Sequence, residues 1–207
     1  LYVLCLLSIY YLASSQPSFN RKHYLKYNVA IFANMAVIDS NIYTSGLMTI
    51  EKPYINAGFF TKLNLSGDTI FTTTISDSLL TIWWQNCMKY TTEGNFLIAG
   101  DSVGKSRLLL IDTIGKVLKT KAFYSQFAPK NPRIYSRAIC QTEHDSSLWI
   151  LSKVDNGYKL DYIQLTKFSK NLDSLSKVII GTPGLAAIPI FFGQINPNRY
   201  LLSGYYS

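Results

Sequence analysis

Short apolar runs alternate along this chain with polar turns containing Gly, Asn or Asp, and no stretch keeps a helical apolar period. The stretch "NFLIAGDSVGKSRLLLIDTIGKVLKTKAF", residues 95–123, shows the pattern best: two apolar runs and a Thr/Lys-rich run, each of strand length, separated by Gly-containing turns. The pattern recurs. "DSNIYTSG" ends at Gly46, "EGNFLIAG" at Gly100, "DSSLWILS" at Ser152 and "NRYLLSG" at Gly204, at separations of 54, 52 and 52 residues. After each of the first three comes an apolar strand, a tight turn and a Thr/Lys/Ser-rich strand, beginning at Phe59, Leu108 and Ile163. Gly67, Gly115 and Asn171 are expected in those turns, as residue types that tolerate φ > 0.

A further apolar run precedes each ending: "VAIFANMAVI", "WWQNCMKYTT", "YSRAICQTEH" and "IPIFFGQI". Each unit therefore holds four strands. The second strands (FLIA, LWIL, YLL) are apolar at consecutive positions, which predicts cover on both faces. Asp155-Asn156-Gly157 predicts a two-residue hairpin between the second and third strands of the third unit.

Four antiparallel strands repeated at about 50 residues predict an all-β fold, a β-propeller of four-stranded blades. The units fall at about 28–78, 79–125, 126–181 and 182–207, so that residues 16–207 hold an incomplete propeller of about three and a half blades. Composition agrees. The chain is 48% hydrophobic, with 15 Tyr and 11 Phe, a balance suited to half-buried pleated surfaces.

Leu1 to Leu12 is continuously apolar and leads into Ala13-Ser14-Ser15-Gln16, where small residues suit a signal-peptidase site. Residues 1–15 are thus expected to be part of a signal peptide, with a mature chain from Gln16 that is secreted or held at the cell surface. The apolar run is too short to predict a stable membrane span. No Met or basic segment precedes Leu1, so a start upstream is expected.

The run from Gly94 to Phe123 resembles the repeats of exported Bacteroidetes propellers, in which a G-x-x-x-x-G strand, an "LLKLD-x-x-G" strand and turn, and a "W-x-K-T-F" strand recur. The resemblance implies an exported propeller, in a group whose members often carry a sorting domain for type IX secretion. Phe71 and Leu118 stand where that pattern has Trp, and Ser152 where it has Gly. Blade motifs are scaffold, so the resemblance transfers no functional residue.

The formal net charge of +8 favours acidic partners, yet the basic residues are spread and no nucleic-acid module accompanies them; no nucleic-acid binding is expected. Cys87 and Cys140, on first strands of adjacent units, read as two buried thiols, and no Cys/His ligand spacing predicts a metal. His144, between Glu143 and Asp145, reads as a solvated turn residue, as does the other histidine, His23. "GDSVGKS" lacks the spacing and the following helix of a phosphate loop, and Asp101 and Asp112 lack calcium-loop spacing. No cofactor and no catalytic set is predicted.

The connections between units fit the repeat least, and loops on a rigid frame are where such folds place function. Trp83, Trp84, Tyr124, Lys130, Arg133 and Tyr135 mix aromatic planes with cations there. They are the expected ligand-binding residues, suited to stacking on sugars or pairing with carboxylates and phosphates. The function expected is a non-catalytic binding or scaffold module, with an anionic glycan or a cell-surface protein as partner. A carbohydrate-active lyase or hydrolase, or the sensor domain of a membrane receptor, is the alternative.

Overall fold

The computed structural model describes residues 29–50, 55–75, 82, 86–102, 105–124, 133–142, 145–155, 162–181, 187–196 and 199–206. Among them are fourteen β-strands, and no helix is long and apolar enough to cross a membrane. Sheet one is β1 (Val29–Ile38), β2 (Asn41–Ile50), β3 (Ile55–Asn64) and β4 (Thr69–Ile75). Sheet two is β5 (Met88–Tyr90), β6 (Phe96–Ser102), β7 (Lys105–Ile111) and β8 (Val117–Phe123). Sheet three is β9 (Arg133–Gln141), β10 (Leu148–Asp155), β11 (Tyr162–Phe168) and β12 (Ser174–Ile180). Sheet four has two described strands, β13 (Ala187–Asn196) and β14 (Arg199–Tyr206). Every pairing is antiparallel and between consecutive strands.

The sheets stack face to face in chain order, because their middle strands are apolar on both sides. Phe96, Ile98 and Ile111 of sheet two meet Tyr43, Phe60 and Ile75 of sheet one. On its other face Leu97, Ala99 and Leu108 meet Ile139, Leu148, Ile150 and Phe168 of sheet three. Ala138, Cys140 and Leu151 then meet Phe192 of sheet four. Alternate residues of one strand thus serve two different seams, which explains the consecutive apolar positions of β6 and β10. In β14 that expectation fails: Leu201 is exposed, on the side that no described sheet covers, and Tyr200, on the other side, is only partly covered by Trp149 and Phe192.

The first strands of the four sheets lie side by side, and those of sheets one, three and four carry a bulge at the same place. The register slips between Phe32 and Asn34 opposite Ser45-Gly46, between Ser136 and Ala138 opposite Leu151-Ser152, and between Pro189 and Phe191 opposite Ser203-Gly204. A bulge bends the strand onto its partner. A Cβ on Gly46 would lie 1.9 Å from the Ile31 carbonyl oxygen, and one on Gly204 2.4 Å from that of Ile188. That crowding is why the repeat places a small residue within each second strand. In sheet two the equivalent residue is Asn86, at φ +64°. It also shortens the expected first strand, "WWQNCMKYTT", to Met88–Tyr90, since a left-handed residue cannot continue a ladder.

Two turn readings are corrected. In the hairpin between β11 and β12, Leu172 and not Asn171 matches Gly67 and Gly115: the amides of Gly67, Gly115 and Leu172 donate to Asn64, Asp112 and Ser169 at 2.9, 3.1 and 2.9 Å. Leu172 holds φ +61° while its side chain is buried. Between β10 and β11, Val154 pairs with Tyr162, whereas a two-residue Asn156-Gly157 turn would pair it with Lys159. That connection is longer than a two-residue turn, and residues 156–161 lie outside the described residues.

The meander gives each sheet two edges. The turns joining first to second and third to fourth strands share one, the turn edge. The links from second to third strand and from sheet to sheet share the other, the connection edge.

Candidate functional site

Of the expected binding residues, Tyr124, Arg133 and Tyr135 stand on the connection edge, at the link from β8 to β9. Tyr124 follows β8, is 55% exposed, and its carbonyl accepts the Lys177 ammonium at 3.2 Å. Arg133 opens β9, paired in register with Asp155, and Tyr135 follows two residues on, with the Arg137 guanidinium 5.9 Å from its ring centre. Trp83, Trp84 and Lys130 lie outside the described residues, as do both histidines.

Six of the described acids share the turn edge. Asp39, Asp68, Glu93, Asp112, Asp145 and Asp173 all sit in turns on the turn edge. They are there for a local reason: a carboxylate one or two bonds from the backbone caps turn amides. Asp112 Oδ1 accepts Ile114 N at 3.1 Å and Lys116 N at 2.8 Å, and Asp145 Oδ1 accepts Ser147 N at 3.0 Å. Asp145 is also bonded by Thr142 and by Lys167 at 2.9 Å, and these donors hold its carboxyl well below the usual range. On the connection edge the described acids are Asp101, which is buried, and Asp155, beside Lys105, Arg107, Arg133, Arg137 and Lys153. Turn capping accounts for the acids of the turn edge, where Lys116, Lys170 and Arg199 also lie; among the described residues the connection edge carries more cations than acids.

A buried polar cluster lies just beneath the connection edge, in the seam between sheets two and three. Asp101, near the end of β6, is 6% exposed. Its Oδ1 accepts the Ser136 amide at 2.7 Å, with the Ser106 hydroxyl at 3.2 Å. Ser136 Oγ donates to Ser106 Oγ at 3.0 Å, and the Cys87 thiol to the Ser136 carbonyl at 3.5 Å. Burial pushes the Asp101 carboxyl up to about 7, outweighing these donors and the nearby Arg137 charge. Burial, and then the Asp101 charge, push the Cys87 thiol far up as well. The cluster therefore holds a protonated thiol and two serines that solvent does not reach. A nucleophile needs access as well as a base, and solvent reaches none of these groups. Its geometry is that of a clamp across the seam.

Sequence reasoning singled out Asp101 only to dismiss it as a calcium ligand. Ser136, its main donor, is 35 positions away, and only the adjacency of β6 and β9 brings the two together. The reading of Cys87 and Cys140 as two buried thiols agrees with the structure, in which both are buried and free.

On the turn edge of the same seam, a cleft of about 320 Å³ is lined by Thr91, Glu93, Asn95, Leu110, Leu148, Lys170 and Asn171. Burial raises the Glu93 carboxyl, but hydrogen bonds from its own amide, Thr92, Thr91 and Gln141 outweigh it and hold the group below its ordinary range. Among the described residues no group of His, Cys, Asp and Glu is placed to hold a metal ion.

No family model matches the chain, and no curated protein matches it. Among solved structures it is similar to a member of the DUF4221 family from Bacteroides vulgatus, with a TM-score of 0.52 at 10% sequence identity. The likeness covers 81% of this chain and 56% of that one, so the chain spans just over half the length of its structural neighbour. At that identity the similarity is one of fold: an all-β architecture of consecutive antiparallel sheets, shared with a protein from Bacteroides.

Proposed function

We propose that the sheets are consecutive blades of a β-propeller, and that the chain is an exported binding or scaffold module whose connection edge takes an anionic partner. Three features support the propeller reading: the near-constant spacing of the small residues, the side-by-side first strands, and the bulge repeated at equivalent positions. The observation that carries the binding reading is the group of described cations on the connection edge. Lys105, Arg107, Arg133 and Lys153 stand at strand ends on the edge that also presents Tyr124, where the described acids are Asp101 and Asp155. A glycan bearing carboxylates or sulfates suits such a surface, with sugar rings stacking on tyrosine and charges meeting the cations. The buried, protonated thiol and the sealed serines favour binding over catalysis.

Binding of polygalacturonate is the direct test. The Lys130→Ala, Arg133→Ala double variant removes two cations, each worth up to about 1 kcal/mol in a surface ion pair with the polymer. Affinity should fall roughly tenfold and the melting temperature should stay where it is. Binding to the unaltered protein should weaken as salt is added. Unchanged affinity in the double variant would place the partner elsewhere.

A further inference from the structure

The cleft on the turn edge between sheets two and three has walls of matching composition. Sheet two supplies Glu93, Asn95 and Leu110, and sheet three supplies Lys170, Asn171 and Leu148. Each wall thus brings one charge, one carboxamide and one leucine, and the two charges are opposite. Leu148 is buried and Leu110 half-buried, so the leucines form the floor, while Glu93 and Lys170 are exposed at the rim.

The cleft is particular to this seam. At the seam between sheets one and two, Phe96 stands in place of Leu148 and the Phe71 ring rests against Gly115, so rings fill the corresponding space. The turn position of Lys170 is held there by Thr113, which has no charge. Here Lys119 replaces Phe71, and its ammonium reaches the Asn171 carbonyl, a second cation beside Lys170. Both walls are fixed in shape. Gln141 Nε2 donates to Glu93 Oε2 at 3.5 Å, and the Asn171 amide donates to Ser169 Oγ at 3.1 Å. The donors around Glu93 keep it ionised, and among the described residues no ion pair takes up Lys170.

We propose that this cleft binds a zwitterionic amino acid with an aliphatic side chain, its ammonium against Glu93, its carboxylate against Lys170 and its side chain on Leu110 and Leu148. Opposite charges a few bonds apart answer one acid and one cation on facing walls. The carboxamides supply donors for the carboxylate and acceptors for the ammonium, and the leucine floor rewards an aliphatic group. A neutral sugar would leave both charges unanswered, and a simple anion or cation would leave one of them so. At about 320 Å³ the cleft is at the small end of ligand sites, which suits a single amino acid and not a polymer. It lies on the opposite edge from the surface proposed for the anionic partner, and neither reading depends on the other.

Titration of the unaltered chain with L-leucine, followed by calorimetry and amide chemical shifts, tests the proposal. The expected result is saturable binding that shifts the amides of Glu93, Asn95, Lys170 and Asn171. Isoamylamine, which lacks the carboxylate, and isocaproate, which lacks the ammonium, should each bind about fivefold more weakly than leucine. Glu93→Gln and Lys170→Met nearly keep side-chain size and should each weaken leucine about fivefold. The losses should cross: Glu93→Gln does not weaken isocaproate, and Lys170→Met does not weaken isoamylamine. Absence of saturable leucine binding overturns the proposal, as does binding that shifts amides elsewhere or that either variant leaves unchanged. Should a variant not fold, the analogues on the unaltered chain decide: weaker binding of both supports the paired charges, and binding of either as tight as leucine refutes them.

Discussion

The seam between sheets one and two and the seam between sheets two and three are built from the same repeat and filled in opposite ways. In the first, Tyr43, Phe60 and Tyr90 surround Phe96 with ring centres 4.5, 5.1 and 5.0 Å away. Counted from the small residue within each second strand, Leu97 and Leu148 stand in the second seam where Tyr43 and Phe96 stand in the first. Its one aromatic pair among the described residues is Phe123 with Phe168, 5.3 Å apart. The second seam adds the Asp101 clamp, which has no counterpart in the first: Leu47 and Gly58 occupy the positions of Asp101 and Ser106.

The difference extends to the turns. A Cβ on Gly115 would meet the Phe71 ring at 2.6 Å and Thr73 Oγ1 at 2.5 Å, so the turn is glycine because an aromatic ring rests against it. At the next seam Lys119 replaces Phe71, its ammonium reaches the Asn171 carbonyl, and the turn position can hold Leu172, whose side chain enters the core. Ring-plus-glycine and lysine-plus-leucine are two complementary solutions of one contact. The cleft beside Leu148 and Asn171 is the space the second solution leaves unfilled.

The sharpest way to break the comparison is to truncate its aromatic centre. Phe96→Ala should cost about 3–5 kcal/mol, read by denaturant unfolding. Leu148→Ala, its counterpart, should cost less, since it removes fewer atoms beside a seam that is already loose. Equal losses would mean that the aromatic cluster adds nothing beyond volume.

The clamp gives the next effect, and it depends on pH. In the folded chain the Asp101 carboxyl titrates near 7, against about 4 when unfolded. A raised pKa stabilises the folded state below the unfolded value, and that contribution disappears as pH rises through 7. The protein should therefore melt higher at pH 5 than at pH 8, by an amount reflecting at most a few kcal/mol. Asp101→Asn keeps an acceptor for the Ser136 amide and should flatten this dependence. If the variant keeps the slope of the unaltered chain, another group is responsible.

The smallest effect tests the turn exchange. Leu172→Ala loses the buried side chain and retains the left-handed backbone, whereas Leu172→Gly loses the same side chain and relieves about 1 kcal/mol of strain. Glycine should be the milder substitution here, the reverse of the usual order within a strand. Thermal unfolding of the pair checks the order.

Much of this frame could be read from residues alone. Gly46, Gly100, Ser152 and Gly204 all fall on second strands, because a bulged neighbour crowds that position and crowding leaves a mark in residue size. Leu172 escaped notice because Asn171 is the better turn former by type, and only the burial of Leu172 in the next seam outweighs that preference. Asp101 escaped for a different reason. Its partners come from another sheet, and a single buried carboxylate has no spacing to recognise. The same holds for the acids of the turn edge: each looks like an ordinary turn residue until the meander places those turns together.

The bulged first strands also link neighbouring sheets directly, through Cys87 N to Asn34 Oδ1 at 2.9 Å and Ile139 N to Asn86 O at 2.9 Å. Each link joins the same small stretch of one sheet to the same small stretch of the next. Copying a stretch of DNA that encodes one whole unit would therefore produce a newcomer that already carries a donor for the sheet before it and an acceptor for the sheet after it. Copying a fraction of a unit would leave one of those groups facing the wrong neighbour. Gain or loss of a complete unit preserves links of this kind, whereas a change inside a unit has to be matched across the seam, as ring-plus-glycine and lysine-plus-leucine are.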